Sequence, residues 1–429
     1  MAALGAFRTT VEGTIRVPGD KSISHRALIL AALAPGMSRI TGLQDGADVR
    51  ATAGALRGLG IPIESADDAV RVTGGALRAP AAPLDCLNSG TTARLLAGVA
   101  AAQSLPTRFV GDASLSRRPM ARVADPLRRM GAAVTFDGPD ARLPMTITGG
   151  TLADLDWTSE MASAQVKSAI LLAGLLSGAE VVVREPAPSR DHTERMLAAR
   201  GVSVYVRDGA VLLPAGQQIA PLDTTIPGDP SSAAFFVALA ALAARGTITL
   251  PNVCLNPTRI GFLDALKRMG AQLDFDDTRH EGGERVGTVV ARGGEALHGI
   301  EITAAEVPSM IDELPLLACV AACADGETTV RGAAELRVKE SDRISRVVEN
   351  LRALGVAADE LPDGFVVRGR APRPCAGLVH THGDHRLAMA FGVLGALAGS
   401  DVQIDDPASV DVSYPGFWRD LAAVTPRGG

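Results

Sequence analysis

Two helical patterns alternate along the chain. The first is apolar on every face: SHRALILAALA at 24–34, TTARLLAGVAAA at 91–102, SAQVKSAILLAGLL at 163–176, SSAAFFVALAALAA at 231–244, DELPLLACVAACA at 312–324 and DHRLAMAFGVLGALA at 384–398. A helix with no polar face predicts burial on all sides. The second is amphipathic and ends in glycine: ALRGLG, PLRRMG, MLAARG, ALKRMG and NLRALG, closing at Gly60, Gly131, Gly201, Gly270 and Gly355. Those glycines recur at intervals of 71, 70, 69 and 85 residues, and FWRDLAAV at 417–424 is a degenerate sixth copy. Glycine just past a helix takes the left-handed conformation without strain.

Each apolar helix is followed by a short alternating strand such as SRITGL, TRFVGD, EVVVRE or TITLPNV. The repeating unit is therefore apolar helix, strand, amphipathic helix, strand, strand, and it occurs six times. Six buried helices predict an α/β (α+β) protein with two cores of three, sheets and amphipathic helices lying outside. PGDKS at 18–22 is echoed by PGDPSS at 227–232, three repeats later and again before an apolar helix. We read both turns as hinges, near 18–21 and 226–231. The expected domains are 1–18 plus 230–429, completed by the N-terminal strand, and 19–229.

Composition narrows the class. With 47 % hydrophobic and 21 % charged residues the chain is globular, and a net charge of −6 with 3 % aromatics argues against nucleic-acid binding. Five scattered cysteines without a C-x-x-C pair argue against a disulfide framework or zinc site and for a reducing cytoplasm. No apolar run reaches the ~20 residues that cross a bilayer, and the N-terminus has no signal or transit pattern. Of 42 Lys and Arg residues only Lys21, Lys167, Lys267 and Lys339 are lysines, so each lysine is a candidate for a role that arginine cannot fill.

The starts of the apolar helices carry the chemistry. The first N–H groups of a helix lack partners, and its dipole favours an anion there. Ordinary capping explains Ser163 or Asp229. It does not explain Lys21, Arg26 and Arg386 at helix starts, where cations are disfavoured unless a multiply charged anion lies between them. If the three buried helices of each half run parallel, their starts share one face, and two such faces across a hinge make a strongly positive cleft. Arg117 and Arg118 in SLSRRPMARV add charge, and ELRVKESDRISRV is read as a helix with Lys339 and Arg343 on one face beside Glu340.

PGDKSISHRALILAALA, NSGTTARL, GDASLSRRPM, SAQVKSAILLAGL, RVKESDRI and DHRLAMA, in that order over nearly the whole chain, resemble the motifs of the EPSP synthase family of enolpyruvyl transferases. The resemblance implies a two-domain inside-out α/β barrel of six βαβαββ units, three per domain. It implies transfer of the enolpyruvyl group of phosphoenolpyruvate to the 5-hydroxyl of shikimate 3-phosphate, in aromatic amino acid biosynthesis, through a tetrahedral intermediate. No metal or cofactor is implied, a monomer is expected, and glyphosate is a candidate inhibitor. Carried over by motif, Lys21, Ser22, Arg26, Ser163, Ala164, Gln165, Ser189, Asp312 and Lys339 bind shikimate 3-phosphate. Lys21, Asn88, Gly90, Arg118, Gln165, Arg343 and Arg386 bind phosphoenolpyruvate. Asp312 is the candidate base at the hydroxyl, Glu340 handles the methylene proton, and Lys21 assists.

Five positions depart from the pattern of many members: Leu95, Ala164, His192, Glu335 and Val412. They resemble a divergent branch that includes glyphosate-tolerant members, whereas Gly90 matches sensitive ones. The sister transferase acting on UDP-N-acetylglucosamine opens with Lys-Asn and has a cysteine in the loop that here reads GDASLSRRPMARV. A non-catalytic sugar-phosphate-binding protein gains nothing from Asp312 and Glu340, which repel anions. HTHGDH, with His380, His382, Asp384 and His385, has metal-ligand spacing, but Asp384 and Arg386 belong to the Asp-His-Arg motif. Cys319 and Cys323 read as core.

Overall fold

The computed structural model describes residues 9–370 and 375–425; residues 1–8, part of the expected N-terminal contribution to the C-terminal-side domain, lie outside it. Among the described residues, twelve α-helices alternate between the two predicted kinds. The apolar ones are α1 (Lys21–Leu33), α3 (Gly90–Ala101), α5 (Ala164–Ser177), α7 (Pro230–Leu242), α9 (Leu314–Ala322) and α11 (His385–Gly395). The amphipathic ones are α2 (Ala47–Gly58), α4 (Ala121–Met130), α6 (His192–Ala198), α8 (Gly261–Met269), α10 (Arg343–Ala353) and α12 (Phe417–Val424). From Pro230 to Leu242 every residue of α7 is buried. The five glycines that close the amphipathic helices have φ of 84°, 111°, 82°, 108° and 76°, the left-handed conformation the sequence predicts.

The chain divides into two compact units. One combines the chain up to Pro18 with Pro227–Arg279 and Arg285 onward; the other is Gly19–Ile226 with His280–Glu284. The crossings fall at Pro18–Gly19 and Ile226–Pro227, so 227–229 group with the first unit rather than the second. The main-chain N–H of Asp229 donates to Pro18 O at 2.9 Å, and Gly228 bridges Val253, which ties this turn to the first unit. His280–Glu284 depart from the contiguous domains expected, because buried Glu284 lies 2.7 Å from His192 Nδ1.

Among the described residues each unit carries three sheets. Five of the six have four strands and share one order, as in Leu84–Asp85, Thr107–Val110, Met145–Thr148, Ala133–Phe136. The first two strands of that sheet run parallel, and the remaining neighbours are antiparallel. The sixth has two parallel strands, Ala376–Val379 and Asp401–Ile404. The first strand, Thr10–Thr14, pairs in parallel with Arg245–Cys254, so the first unit's opening sheet takes its edge from the N-terminal end of the chain. The apolar helices pack tightly within each unit. Against α5, a Cβ on Gly98 of α3 would stand 2.1 Å from Ala169 O, so only glycine permits this approach.

One predicted helix is interrupted. Residues 334–338 form a 3-10 turn, and α10 starts at Arg343, where Asp342 accepts the Ser345 N–H at 3.1 Å. That N-cap ends the preceding turn, so Lys339 and Arg343 are not on one helical face.

Candidate active site

In the second unit the starts of α1, α3 and α5 are capped alike. Asp20 accepts from Ile23 N at 2.8 Å, Ser89 from Thr92 N at 3.1 Å and Ser163 from Val166 N at 3.4 Å. Side chains then lace the N-terminal ends of the three helices together. Arg94 of α3 donates to Gln165 Oε1 of α5 at 2.9 Å, and Gln165 Nε2 donates to Thr91 Oγ1 at 2.9 Å. Arg26 of α1 donates through Nε to Thr193 at 2.6 Å, and through its terminal nitrogens to Ser168 at 2.8 Å, Ser22 O at 3.0 Å and Ala164 O at 3.5 Å. The three apolar helices therefore present their starts together, as the sequence predicts.

Several expected substrate residues lie in this cluster. Lys21 places its ammonium 3.0 Å from Asp48, in the first turn of α2. Arg118, after the 3-10 turn Leu115–Arg117, donates to Asn88 Oδ1 at 2.6 Å, and Asn88 Nδ2 donates to Asp112 at 2.7 Å. Gly90 is the first residue of α3. Ser163 and Ser189 both meet Glu185, at 2.7 Å each. Arg26 lies deeper than expected of a direct phosphate ligand, 4 % exposed with its donors on hydroxyls and carbonyls. Burial lowers its pKa to about 10, against the opposing fields of Glu194 and Asp20.

Behind this face, buried His25 joins a hydroxyl chain: Nδ1 to Thr52 Oγ1 at 2.6 Å, Thr52 to Thr92 at 2.7 Å, and Thr92 to Ser89 at 2.8 Å. His25 Nε2 is buried without a hydrogen-bond partner. Burial drives the imidazole pKa down to about 3; Asp48 opposes the shift, and Lys21 and Arg26 reinforce it.

The first unit gathers a different set. Asp312 sits in the 3-10 turn Ile311–Glu313 ahead of α9, with Oδ1 3.6 Å from Arg343 and Oδ2 3.9 Å from Arg386. Arg343, at the start of α10, also reaches Glu340 at 2.7 Å and Asp384 at 2.8 Å. Burial works against the Arg343 charge, but Asp384 and Glu340 outweigh it and hold its pKa above the ordinary guanidinium range. Burial likewise opposes the Asp384 charge, and Arg343 overcomes it, keeping the carboxyl below its usual value. Asp384 also accepts the Arg386 N–H at 2.9 Å as N-cap of α11. Arg386 donates to Asp312 O and Glu313 Oε1, each at 3.2 Å. Lys339 stands apart from that cluster, paired with Glu335 at 3.4 Å.

Reading by motif missed Arg94, Asp48, Glu313 and the structural part of Asp384. Arg94 carried a signal, a cation within the first two turns of an apolar helix, as at Arg26. Asp48 carried only an acidic residue near a helix start. Among the departures, Leu95 is fully buried in α3, His192 pairs with Glu284, Glu335 with Lys339, and Val412 ends the 3-10 turn Pro407–Val412. All five cysteines are buried. Among the described residues no three His, Cys, Asp or Glu side chains are grouped to hold a metal, and no helix is long and apolar enough to cross a membrane. His380 of HTHGDH instead lies 3.3 Å from Asp405.

Comparison with known proteins places these features in context. Residues 7–421 match the family model described as EPSP synthase (3-phosphoshikimate 1-carboxyvinyltransferase). A protein of Xanthomonas campestris pv. campestris strain B100 named 3-phosphoshikimate 1-carboxyvinyltransferase is 47 % identical over 414 residues, covering 95 % of this chain and 94 % of the relative. One of the same name from Alkalilimnicola ehrlichii is 48 % identical over 418 residues, covering 96 % and 92 %. The solved EPSP synthase of Acinetobacter baumannii superimposes with a TM-score of 0.87 at 41 % identity, covering 98 % and 97 %. The enolpyruvyl transferase NikO of Streptomyces tendae shares the fold at a TM-score of 0.76 and 19 % identity.

Proposed function

This chain belongs to the EPSP synthase family, and from that premise we propose how its residues divide the work of a 3-phosphoshikimate 1-carboxyvinyltransferase. The enzyme moves the enolpyruvyl group of phosphoenolpyruvate onto the 5-hydroxyl of shikimate 3-phosphate and releases phosphate. In our reading the hydroxyl oxygen adds to the enol carbon while the methylene carbon gains a proton. The tetrahedral adduct then loses phosphate and a methyl proton, restoring the double bond.

Lys21, Ser22, Arg26, Ser163, Ala164, Gln165 and Ser189 hold shikimate 3-phosphate, with Asp312 and Lys339. Lys21, Asn88, Gly90, Arg118, Gln165, Arg343 and Arg386 hold phosphoenolpyruvate. Arg26 acts chiefly through its field, its donors being engaged behind the helix starts. The turns near 18–21 and 226–231, where the chain crosses from one compact unit to the other, act as hinges. The enzyme is taken to work as a cytoplasmic monomer without metal or cofactor, and glyphosate to compete for the phosphoenolpyruvate site.

One observation carries the catalytic assignment. Asp312 offers a carboxylate beside two guanidinium groups, 3.6 Å and 3.9 Å away, at the start of a buried helix. A carboxylate oriented in this way can accept the hydroxyl proton, Glu340 serves the methylene carbon, and the cations stabilise charge on the adduct. Incubation with both substrates tests the reading. Phosphate release must match formation of 5-enolpyruvylshikimate 3-phosphate by mass spectrometry, unchanged in chelator. No coupled product from shikimate 3-phosphate ends it.

A further inference from the structure

The second unit contains a buried ion cluster to which no catalytic step has been assigned. Lys167 of α5 places its ammonium 2.8 Å from Glu194 and 3.0 Å from Glu185, and the three side chains are 4 %, 7 % and 6 % exposed. Burial works against the lysine charge, and the two glutamates outweigh it and raise its pKa. Glu185 uses both oxygens elsewhere as well. Its Oε1 accepts the main-chain N–H of Ser163 at 2.7 Å, and its Oε2 accepts from Ser189 Oγ at 2.7 Å. Lys167 donates in addition to Ser189 O at 3.5 Å. One carboxylate thus ties the N-cap of α5 to a segment 22 to 26 residues further along the chain.

A cluster of two carboxylates and one ammonium has a net negative charge, which disfavours an anion nearby, so it is not itself an anion site. Burying three charges is also a poor source of stability. The arrangement makes sense as a means of placement. Resting on the reading that Ser163 and Ser189 serve the 3-phosphate, we propose that Glu185, backed by Lys167, is a positioning residue for shikimate 3-phosphate. Glu185 fixes the start of α5 and holds the Ser189 hydroxyl in the empty enzyme. A dianionic phosphate can only accept, so on binding the Ser189 proton turns to it, and Lys167 keeps Glu185 paired. Lys167 is then needed in both states, a role for its compact, multiply donating ammonium.

The test uses the full chain, with Glu185→Gln and Glu185→Asp beside wild type. Gln removes the charge; Asp keeps it but is too short to reach Ser163 and Ser189 together. Both variants are expected to raise KM for shikimate 3-phosphate about tenfold or more, with kcat at saturation within about threefold. KM for phosphoenolpyruvate at saturating shikimate 3-phosphate should stay within about twofold. Calorimetric titration of shikimate 3-phosphate alone should show the same loss. An unchanged affinity, or an equal loss for both substrates, in either variant that folds overturns the positioning role. Wild type that neither binds shikimate 3-phosphate nor turns it over overturns instead the functional reading beneath it.

Discussion

Arg26 and Arg343 are both buried arginines beside helix starts, one in each unit, and they are held in opposite ways. Arg26 is 4 % exposed and donates to two hydroxyls and two main-chain carbonyls, and burial lowers its pKa to about 10. Arg343 is 1 % exposed and bears on Asp384, Glu340 and Asp312. The first is held by dipoles, so its charge has no carboxylate in direct contact to cancel it. The second is matched by carboxylates, which it orders. In the proposed reading the difference divides the work: the helix starts around Arg26 serve the anions alone, whereas Arg343 both contributes to the phosphoenolpyruvate site and sets carboxylates in place for proton transfer.

The comparison is most exposed at Asp312, the acceptor that Arg343 and Arg386 flank. Asp312→Ala should lower kcat about 10³- to 10⁴-fold. Affinity for shikimate 3-phosphate should remain within about tenfold, or ~1.4 kcal/mol. Steady-state turnover near that of wild type rules Asp312 out as the base.

The two arginines should next separate in stability. Arg343→Met strands Asp384 without its buried partner and should destabilise the protein by about 3–5 kcal/mol. Arg26→Met strands only hydroxyls and carbonyls, about 1–3 kcal/mol. Denaturant unfolding of both variants decides the matter, and equal losses would break the contrast.

A third prediction concerns pH. His25 stays neutral when folded, with a pKa of about 3, and is charged in the unfolded chain below its ordinary 6.5. The unfolded state therefore binds the extra proton, and stability falls as pH drops from 6.5 towards 3. Between pH 6.5 and 5 the loss is about 2 kcal/mol. His25→Gln should flatten this part of the stability profile; an unchanged slope assigns the acid sensitivity to other groups.

The smallest effect is expected at Gly90, where a Cβ would stand 2.6 Å from an Arg94 terminal nitrogen and 3.5 Å from Arg118. Because the nearer atom ends a flexible side chain, Gly90→Ala should alter stability by less than about 0.5 kcal/mol. The added methyl displaces the Arg94 guanidinium and comes into contact with Arg118, and should weaken glyphosate about tenfold more than phosphoenolpyruvate. Inhibition kinetics showing equal loss for both refute this.

Much of the architecture was legible because it is written in periodicity. Helices apolar on all sides must be buried, and glycine at a helix end marks a left-handed turn, so the repeat could be read without coordinates. What the sequence marked for the candidate site was the cations set against a helix dipole, at Lys21, Arg26 and Arg386. The 334–343 segment was misread because helical spacing alone does not reveal that Asp342 would cap a new helix. Glu185 left no signal, since its role arises from bonds to Ser163 and Ser189 across a sheet connection.

Sequence by itself determined the six repeats, the buried helices, the closing glycines and the kinds of charge at the helix starts. Each follows from local chemistry: hydrophobic period, backbone conformation and the helix dipole. Tertiary structure decided which charges neutralise one another. It put hydroxyls on Arg26, carboxylates on Arg343 and two glutamates on Lys167. Those pairings depend on burial and on distances of about 3 Å between residues remote in the chain, and electrostatic energy in a low-dielectric interior changes sharply over such distances.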